Sequence, residues 1–288
     1  MMVRMAHAKL NLFLRVERRR DDGYHDIETL FQRIALADRL TFERAAEGLE
    51  LECLGRPVDC PRDANLIARA YHALVGRCGP RPCGARVVLE KRIPVGGGLG
   101  GGSADAAAAL RGFNELFALD MSAAALRAVA AELGADAPFF LGPPTAIGRG
   151  RGDVLSPVAP PSAFWAALAF PAFPVSTAEV YARYDPKAER AAAASDLASL
   201  VAALARGDLA RALDLMFNEM ESLAFGVVPA LGDLRRRLEG SAQRPVRVSG
   251  SGSTLFTLAE TQAAAQAIAS AWRERESVET DVARFVVE

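Results

Sequence analysis

Six glycines fill the seven positions from Gly96 to Gly102, within Pro94-Val95-Gly96-Gly97-Gly98-Leu99-Gly100-Gly101-Gly102-Ser103-Ala104-Asp105. Such a run cannot be a packed strand or helix interior, where glycine loses the most backbone entropy and has nothing to bury. Its flanks give it a purpose. Ala85 to Glu90 reads as extended, and an alanine-rich helix from Ser103 to about Phe117 follows. A bare loop opening onto a helix N-terminus presents several N–H groups beside roughly half a positive charge of helix dipole. That arrangement binds phosphate. A flexible linker would not open directly onto Asp105-Ala106-Ala107-Ala108-Ala109-Leu110.

Two well-known phosphate loops fail on the residues. A Walker A loop needs Gly-Lys before its Ser or Thr, and here Gly102 is followed directly by Ser103. The dinucleotide fingerprint fits formally at Gly96, Gly98 and Gly101, but it should open a βαβ unit. A second apolar helical pattern, Met121 to Leu133, follows instead of a strand.

The elements that must position the loop are legible in outline. Residues 4–17 alternate as a strand, with Leu10, Leu12, Leu14 and Val16 on one face and Lys9, Asn11 and Phe13 on the other. Arg18 to Gly23 is a charged turn with hairpin chemistry at Asp22-Gly23. Extended patterns return at Thr29–Ile34 and Asp38–Glu43, and Asp63 to Leu74 reads as a helix with Asp63 as its cap. Gly134 suits a helix C-cap and Asp136 the cap of a short helix. Beyond it come short strands (Thr145–Ile147, Asp153–Pro157) and a proline-rich stretch, Pro157 to Ser162, that reads as a linker. A strand at Phe164–Ala169 leads to helices at Thr177–Tyr184, Leu197–Leu204, Leu209–Leu223 and Pro229–Leu238. Strand–turn–strand at Val246–Leu258, a helix at Thr261–Trp272 and a strand at Asp281–Val287 complete the chain. Irregular alternation of strands and helices makes the class α+β. The alanine runs Ala191–Ala194 and Ala263–Ala265 fit helix surfaces or ends.

The 288 residues can bury a full core without disulfides or metals. With 34 basic and 35 acidic residues the net charge is −1, which leaves no basic footprint for nucleic acid. No apolar run approaches the ~20 residues of a membrane span, and the N-terminus lacks a signal-peptide pattern. A cytoplasmic protein is expected. Cys53, Cys60, Cys78 and Cys83 lack the paired spacing of a zinc site and read as scattered reduced thiols. Only three of the basic residues, Lys9, Lys91 and Lys187, are lysines. Arginine replaces lysine poorly where a compact ammonium is needed, which draws attention to Lys9.

Four segments stand out together: Ala8 to Leu14 with Gly23-Tyr24-His25 behind it, the glycine run, Gly134-Ala135-Asp136-Ala137-Pro138, and the small-residue turn Val248-Ser249-Gly250-Ser251-Gly252-Ser253-Thr254. They resemble the signature motifs of the GHMP kinases, small-molecule kinases named for galactose, homoserine, mevalonate and phosphomevalonate. Lys9 to Leu14 followed by Asp22-Gly23-Tyr24-His25 is similar to the members that act on 4-diphosphocytidyl-2-C-methyl-D-erythritol. Order and spacing match over nearly the whole chain, least well from Pro171 to Val228.

The resemblance implies an N-terminal ribosomal-protein-S5-like domain (1–158), a C-terminal ferredoxin-like domain (159–288) and an active site between them. It implies ATP as phosphoryl donor, Mg²⁺, a small-molecule substrate, no nucleic-acid or membrane partner, and a monomer or homodimer. The resemblance makes Asp136 the general base with Lys9 as its electrostatic partner. It assigns Pro94 to Ser103 to the ATP phosphates, Ser103 to the metal, and Asn65, Leu66 and Ile67 to the adenine pocket. Ala104 stands where many members carry a second hydroxyl. Tyr24 and His25 match the cytidine-binding pair, with Tyr181 as an opposite wall and Thr177 near it. Asn11 would touch the substrate's oxygens, and Gly250 and Ser251 would pack on the phosphate loop or substrate. A mevalonate-type or homoserine-type kinase, a nucleotide-binding sensor without turnover, and a flavin or nicotinamide oxidoreductase remain the alternatives.

Overall fold

The computed structural model describes residues 1–77, 83–185 and 196–287. Lys187, Cys78 and the Ala191–Ala194 run lie outside the described residues. The chain forms two compact units. One comprises Met1–Ala8, Leu36–Val95 and Gly100–Pro143; the other comprises Lys9–Ala35, Gly96–Leu99 and Pro144–Glu288. This division is not a single cut between residues 158 and 159, because the long strands β1 (Met2–Arg19) and β2 (His25–Ala45) contribute to both units.

In the first unit, β3 (Leu49–Gly55) runs parallel to β4 (Gly84–Lys91), which is antiparallel to Arg39–Ala45 of β2. Helices α1 (Leu66–Val75), α2 (Gly101–Leu116) and α3 (Ala123–Leu133) pack on one another. Alanines 104, 106, 107 and 109 line the buried side of α2 and let its neighbours approach closely. Gly112 takes this to the limit: a Cβ there would lie 2.5 Å from the Phe42 ring. Helix α2 begins two residues before the expected Ser103, because Gly100 adopts a left-handed φ of 68° and turns the chain straight into it. Helix α1 begins three residues later than expected. Arg62–Ala64 is a 3₁₀ turn, and Asn65, not Asp63, caps α1 by accepting from the Ile67 amide at 2.9 Å.

In the second unit, β5 (Thr145–Arg149) pairs antiparallel with β2 and with β6 (Val154–Pro157). Then follow β7 (Trp165–Phe170), α4 (Thr177–Ala182), α5 (Leu197–Arg206), α6 (Leu209–Leu215), β8 (Phe217–Asn218) and α7 (Met220–Val227). Helix α8 (Pro229–Ala242), β9 (Arg247–Val248), β10 (Leu255–Ala259), α9 (Gln262–Glu276) and β11 (Glu279–Arg284) complete it. An antiparallel sheet in the order β11-β7-β10-β9 carries α9 against β7 and β11, with α8 packed on α9. Trp272 of α9 is fully buried and donates its indole N–H to the Leu238 carbonyl at 3.0 Å. No helix among the described residues is long and apolar enough to cross a membrane.

The helix expected over Leu209–Leu223 is two helices broken by β8. The break has a cause. Phe217 and Asn218 leave the helical path to pair in parallel with Phe13 and Leu14 of β1. The buried Asn218 amide then donates to the carbonyls of Val248 (2.8 Å) and Gly250 (2.7 Å) and accepts from the Met220 N–H (2.9 Å). Cys53 and Cys60 are free, as expected, whereas Cys83 is disulfide-bonded, against expectation.

Asn218 therefore ties the start of α7 to the turn after β9. Asn218→Ala takes this partner from three backbone groups, those of Val248 and Met220 buried and that of Gly250 half-buried, and unmet buried groups cost about 1–3 kcal/mol each before relaxation. Urea unfolding should show a loss of about 2–4 kcal/mol; a loss below about 0.5 kcal/mol would contradict this role.

Candidate active site

The glycine run has its carbonyls held and its amides unspent. Gly97 O accepts from the Thr254 N–H (3.2 Å), Gly98 O from the Ser249 hydroxyl (3.0 Å) and Leu99 O from the Lys9 N–H (2.9 Å). Gly96, Gly98 and Gly100 have φ of 72°, 76° and 68°, a region that side chains other than glycine's rarely tolerate. A Cβ on Gly98 would fall 2.0 Å from the Ser249 carbonyl, so this approach admits glycine alone. Among the described residues, the N–H groups of Gly96 to Ser103 donate to no partner outside helix α2. A run of unspent amides leading into a helix N-terminus has the makings of an anion cradle.

Lys9 does not face solvent. It is 4% exposed, its ammonium lies 5.6 Å from the centre of the Phe31 ring, and it donates to Asn11 Oδ1. A short relay fixes that amide. The Thr29 hydroxyl donates to the Phe13 carbonyl at 2.6 Å, so its oxygen is left as an acceptor. Asn11 Nδ2 donates to it at 2.8 Å, which turns Oδ1 toward Lys9. Gly250 closes over this pair: with φ of 59°, its missing Cβ would lie 3.4 Å from Asn11 Oδ1 and 3.5 Å from Lys9 Nζ. The Ser251 hydroxyl is 2.7 Å from that of Thr177. Lys9, Asn11, Gly96–Leu99, Ser249 and Gly250 thus meet within one unit.

His25 sits in a ring cluster. Its centroid is 4.9 Å from Tyr181 and 5.3 Å from Tyr184. Burial, reinforced by the Arg19 charge, holds its imidazole below the ordinary range, so the ring is neutral at pH 7. Its Nε2 is buried with no hydrogen-bond partner. Tyr24 differs from its neighbour: it is exposed, with the Arg151 guanidinium 5.2 Å above its ring. Tyr184 and Arg151 escaped sequence reading, Tyr184 because an i+3 aromatic on an amphipathic helix reads as core, Arg151 because a loop arginine reads as solvated.

In the other unit, Asp136 is half-buried at the N-cap position of the 3₁₀ turn Ala137–Leu141, yet its side chain makes no capping hydrogen bond. A pure capping role is thereby excluded. Ser103 is half-buried, its hydroxyl 3.6 Å from where a Cβ on Gly134 would be. Leu66 is half-buried beside Gly102, Asn65 is committed to capping α1, and Ile67 is fully buried core.

One cluster was not foreseen. Lys91, at the end of β4, donates to Asp38 Oδ2 and to Asp105 Oδ2, both at 2.6 Å, with side-chain exposures of 3%, 0% and 6% for Lys91, Asp38 and Asp105. Asp38 Oδ1 also accepts the N–H groups of Arg92 (2.6 Å) and Ile93 (2.9 Å). Burial pulls the Lys91 ammonium down, but the two carboxylates outweigh it and hold it above the ordinary lysine range. Burial, with the Asp38 charge adding and Lys91 opposing, pushes the Asp105 carboxyl up to about 8.

The chain matches the family descriptions "GHMP kinases N terminal domain" over residues 65–142 and "GHMP kinases C terminal" over residues 200–277. It is 42% identical to the 4-diphosphocytidyl-2-C-methyl-D-erythritol kinase of Moorella thermoacetica, across 93% of this chain and 94% of the relative. A crystal structure of 4-(cytidine 5'-diphospho)-2C-methyl-D-erythritol kinase superposes with a TM-score of 0.83 at 38% identity, covering 99% of both chains. The L. major mevalonate kinase in complex with R-mevalonate shares the fold, with a TM-score of 0.75 at 16% identity over 100% of this chain and 97% of that one.

The buried carboxyl gives a pH signature. Folded Asp105 holds its proton more tightly than the unfolded residue, so its contribution to stability is full below about pH 4 and declines as pH rises toward 8. Lys91 on β4, Asp38 on β2 and the Cys53 thiol on β3 are the titratable groups whose fields it meets. The urea midpoint of the unmodified protein should fall more steeply between pH 5 and 8 than that of Asp105→Asn; equal slopes would contradict the assignment.

Proposed function

Because the chain belongs to the GHMP kinases and is a small-molecule kinase, we propose that it phosphorylates the 2-hydroxyl of 4-diphosphocytidyl-2-C-methyl-D-erythritol. The products are the 2-phosphate and ADP, at a step toward isoprenoid precursors outside the mevalonate route. The observation that carries the reading is the glycine run, with its carbonyls held and its amides unspent at the mouth of α2. ATP is the ligand whose phosphates match it.

In this reading the amides of Gly96 to Ser103 hold the β- and γ-phosphates, flanked by Pro94 and Val95. Leu66, beside Gly102, takes the adenine, with Asn65 and Ile67 shaping the wall behind it. Mg²⁺ is commonly held by one or two protein oxygens plus the substrate's phosphates. The Ser103 hydroxyl at the start of α2 fits as such an oxygen; when bound, the ion neutralises charge on the transferring group.

Asp136 accepts the proton of the 2-hydroxyl as that oxygen bonds to the γ-phosphorus. The bond to the bridging oxygen breaks, and ADP leaves with its electron pair. Lys9 supplies positive charge to the reacting oxygens, held in place by Asn11 and Thr29. The neutral His25 offers a free ring nitrogen to the polar edge of cytosine, and Tyr181 offers the stacking face beside it. Tyr24, under Arg151, forms the outer edge. Thr177 and Ser251, hydrogen-bonded together next to Gly250, line the substrate side.

The decisive assay follows ADP with Mg²⁺-ATP and, separately, the cytidyl substrate, mevalonate and homoserine. Release with the cytidyl substrate alone is expected; release only with another alcohol would overturn the assignment. Removing a general base typically costs ~10²–10⁴-fold. Lys9→Ala and Asp136→Ala should each lower kcat by at least about 100-fold while remaining folded. Near-normal turnover in either would remove that residue from the mechanism.

A further inference from the structure

The glycine run needs amides in fixed positions, yet six of its seven residues have no side chain with which to hold them. What fixes its two ends is therefore a question in its own right. The chain leaves β4 at Lys91 and enters α2 at Gly101. At the exit, the amides of Arg92 and Ile93 are both bonded to Asp38 Oδ1. At the entry, a Cβ on Gly101 would lie 2.9 Å from Ile93 Cγ2 and 3.0 Å from Lys91 Nζ, so the first residue of the helix rests directly on the strand exit and on the ammonium. One turn further along α2, Asp105 Oδ2 takes the Lys91 ammonium. The same ammonium also donates to Asp38 Oδ2. Strand exit and helix entry are thus clasped by one buried ammonium between two carboxyl groups.

We propose that Lys91 is a positioning residue for ATP: by bridging Asp38 and Asp105 it sets the spacing of the two ends of the glycine run, and with it the geometry of the phosphate cradle. This rests on the reading of the run as the ATP loop. Three observations favour positioning over mere stability. Buried ion pairs contribute little net stability compared with well-packed apolar groups of the same volume. In a chain whose other basic residues are almost all arginine, this site holds a lysine. A compact ammonium sits between the two carboxyl groups close to the bare Cα of Gly101, and arginine is a poor substitute for lysine where a point charge is held in this way. Finally, the cluster is not fully satisfied: Asp105 Oδ1 is buried without a hydrogen-bond partner. An unmet buried acceptor costs stability, so stability alone does not account for the composition of the cluster.

The test compares Mg²⁺-ATP binding by calorimetry, and the KM values of both substrates, in unmodified protein and in Asp105→Ala, Asp105→Asn and Gly96→Asp. Small displacements of a bound reactant cost up to ~100-fold. Asp105→Ala should raise the ATP Kd and KM by about tenfold or more and leave the KM of the cytidyl substrate within about twofold. Asp105→Asn keeps an oxygen for Lys91 and should restore ATP affinity to within about threefold. Gly96→Asp places a carboxylate at an open position of the run and tests the loop reading by itself. If Gly96→Asp loses ATP while folded Asp105→Ala binds it normally, the positioning role is wrong and the loop reading stands. If Gly96→Asp also binds ATP normally, the loop reading fails and takes the inference with it. Should Asp105→Ala not fold, the double variant Lys91→Met/Asp105→Leu replaces the pair by apolar groups of similar size. Its folding with weakened ATP binding supports the proposal, and its folding with unchanged ATP binding overturns it.

Discussion

Backbone amides that hold an anion must have no partner inside the protein, yet the loop that carries them must not move. Secondary structure ordinarily satisfies donor and acceptor together. Here the two are separated. The carbonyls of Gly97, Gly98 and Leu99 are fixed by Thr254, Ser249 and Lys9, and the donors of the run are left over. Much else follows from that separation. The turn at Ser249–Ser253 must press against the loop closely enough to exclude a Cβ at Gly98, and Asn218 must hold the turn by its Gly250 carbonyl. That need is what breaks the helical run after Leu215.

Charge is handled by the same logic of placing a group and then fixing what places it. Lys9 is buried over the Phe31 ring, held by an amide whose orientation is dictated by Thr29 and Phe13. A buried cation in that setting is electrostatically strong toward whatever anion arrives. Lys91 is gripped by the carboxyl groups of Asp38 and Asp105, and its influence is on geometry. The two lysines stand at two chemically different tasks, and each ammonium lies beside a glycine, Gly250 for Lys9 and, more tightly, Gly101 for Lys91.

Much of this was legible in the residues, and the reasons differ from part to part. The glycine run announces itself because no other structure explains its composition. The α+β class and most elements follow from apolar periodicity, and the four motifs carry the family. What stayed hidden depends on long-range partners. Asp38 and Asp105 look like a strand acid and a helix acid, 67 positions apart in sequence, until Lys91 is placed between them. Asn65 matches an adenine-pocket position by motif, whereas its side chain closes the first turn of α1. Asp136 reads as a cap by position, and only its geometry shows that it caps nothing. The β8 break in an otherwise helical pattern is a tertiary override: pairing with β1 and three hydrogen bonds outweigh local propensity.

If the amides of the glycine run receive the phosphates of ATP, their resonances must respond to the nucleotide. Protein labelled with ¹⁵N-glycine can be titrated with a non-hydrolysable ATP analogue and Mg²⁺, and the glycine amides followed by NMR. Gly96, Gly97, Gly98, Gly100, Gly101 and Gly102 should show the largest shifts, moving together at one Kd. Saturation by the nucleotide with these resonances unmoved would contradict it.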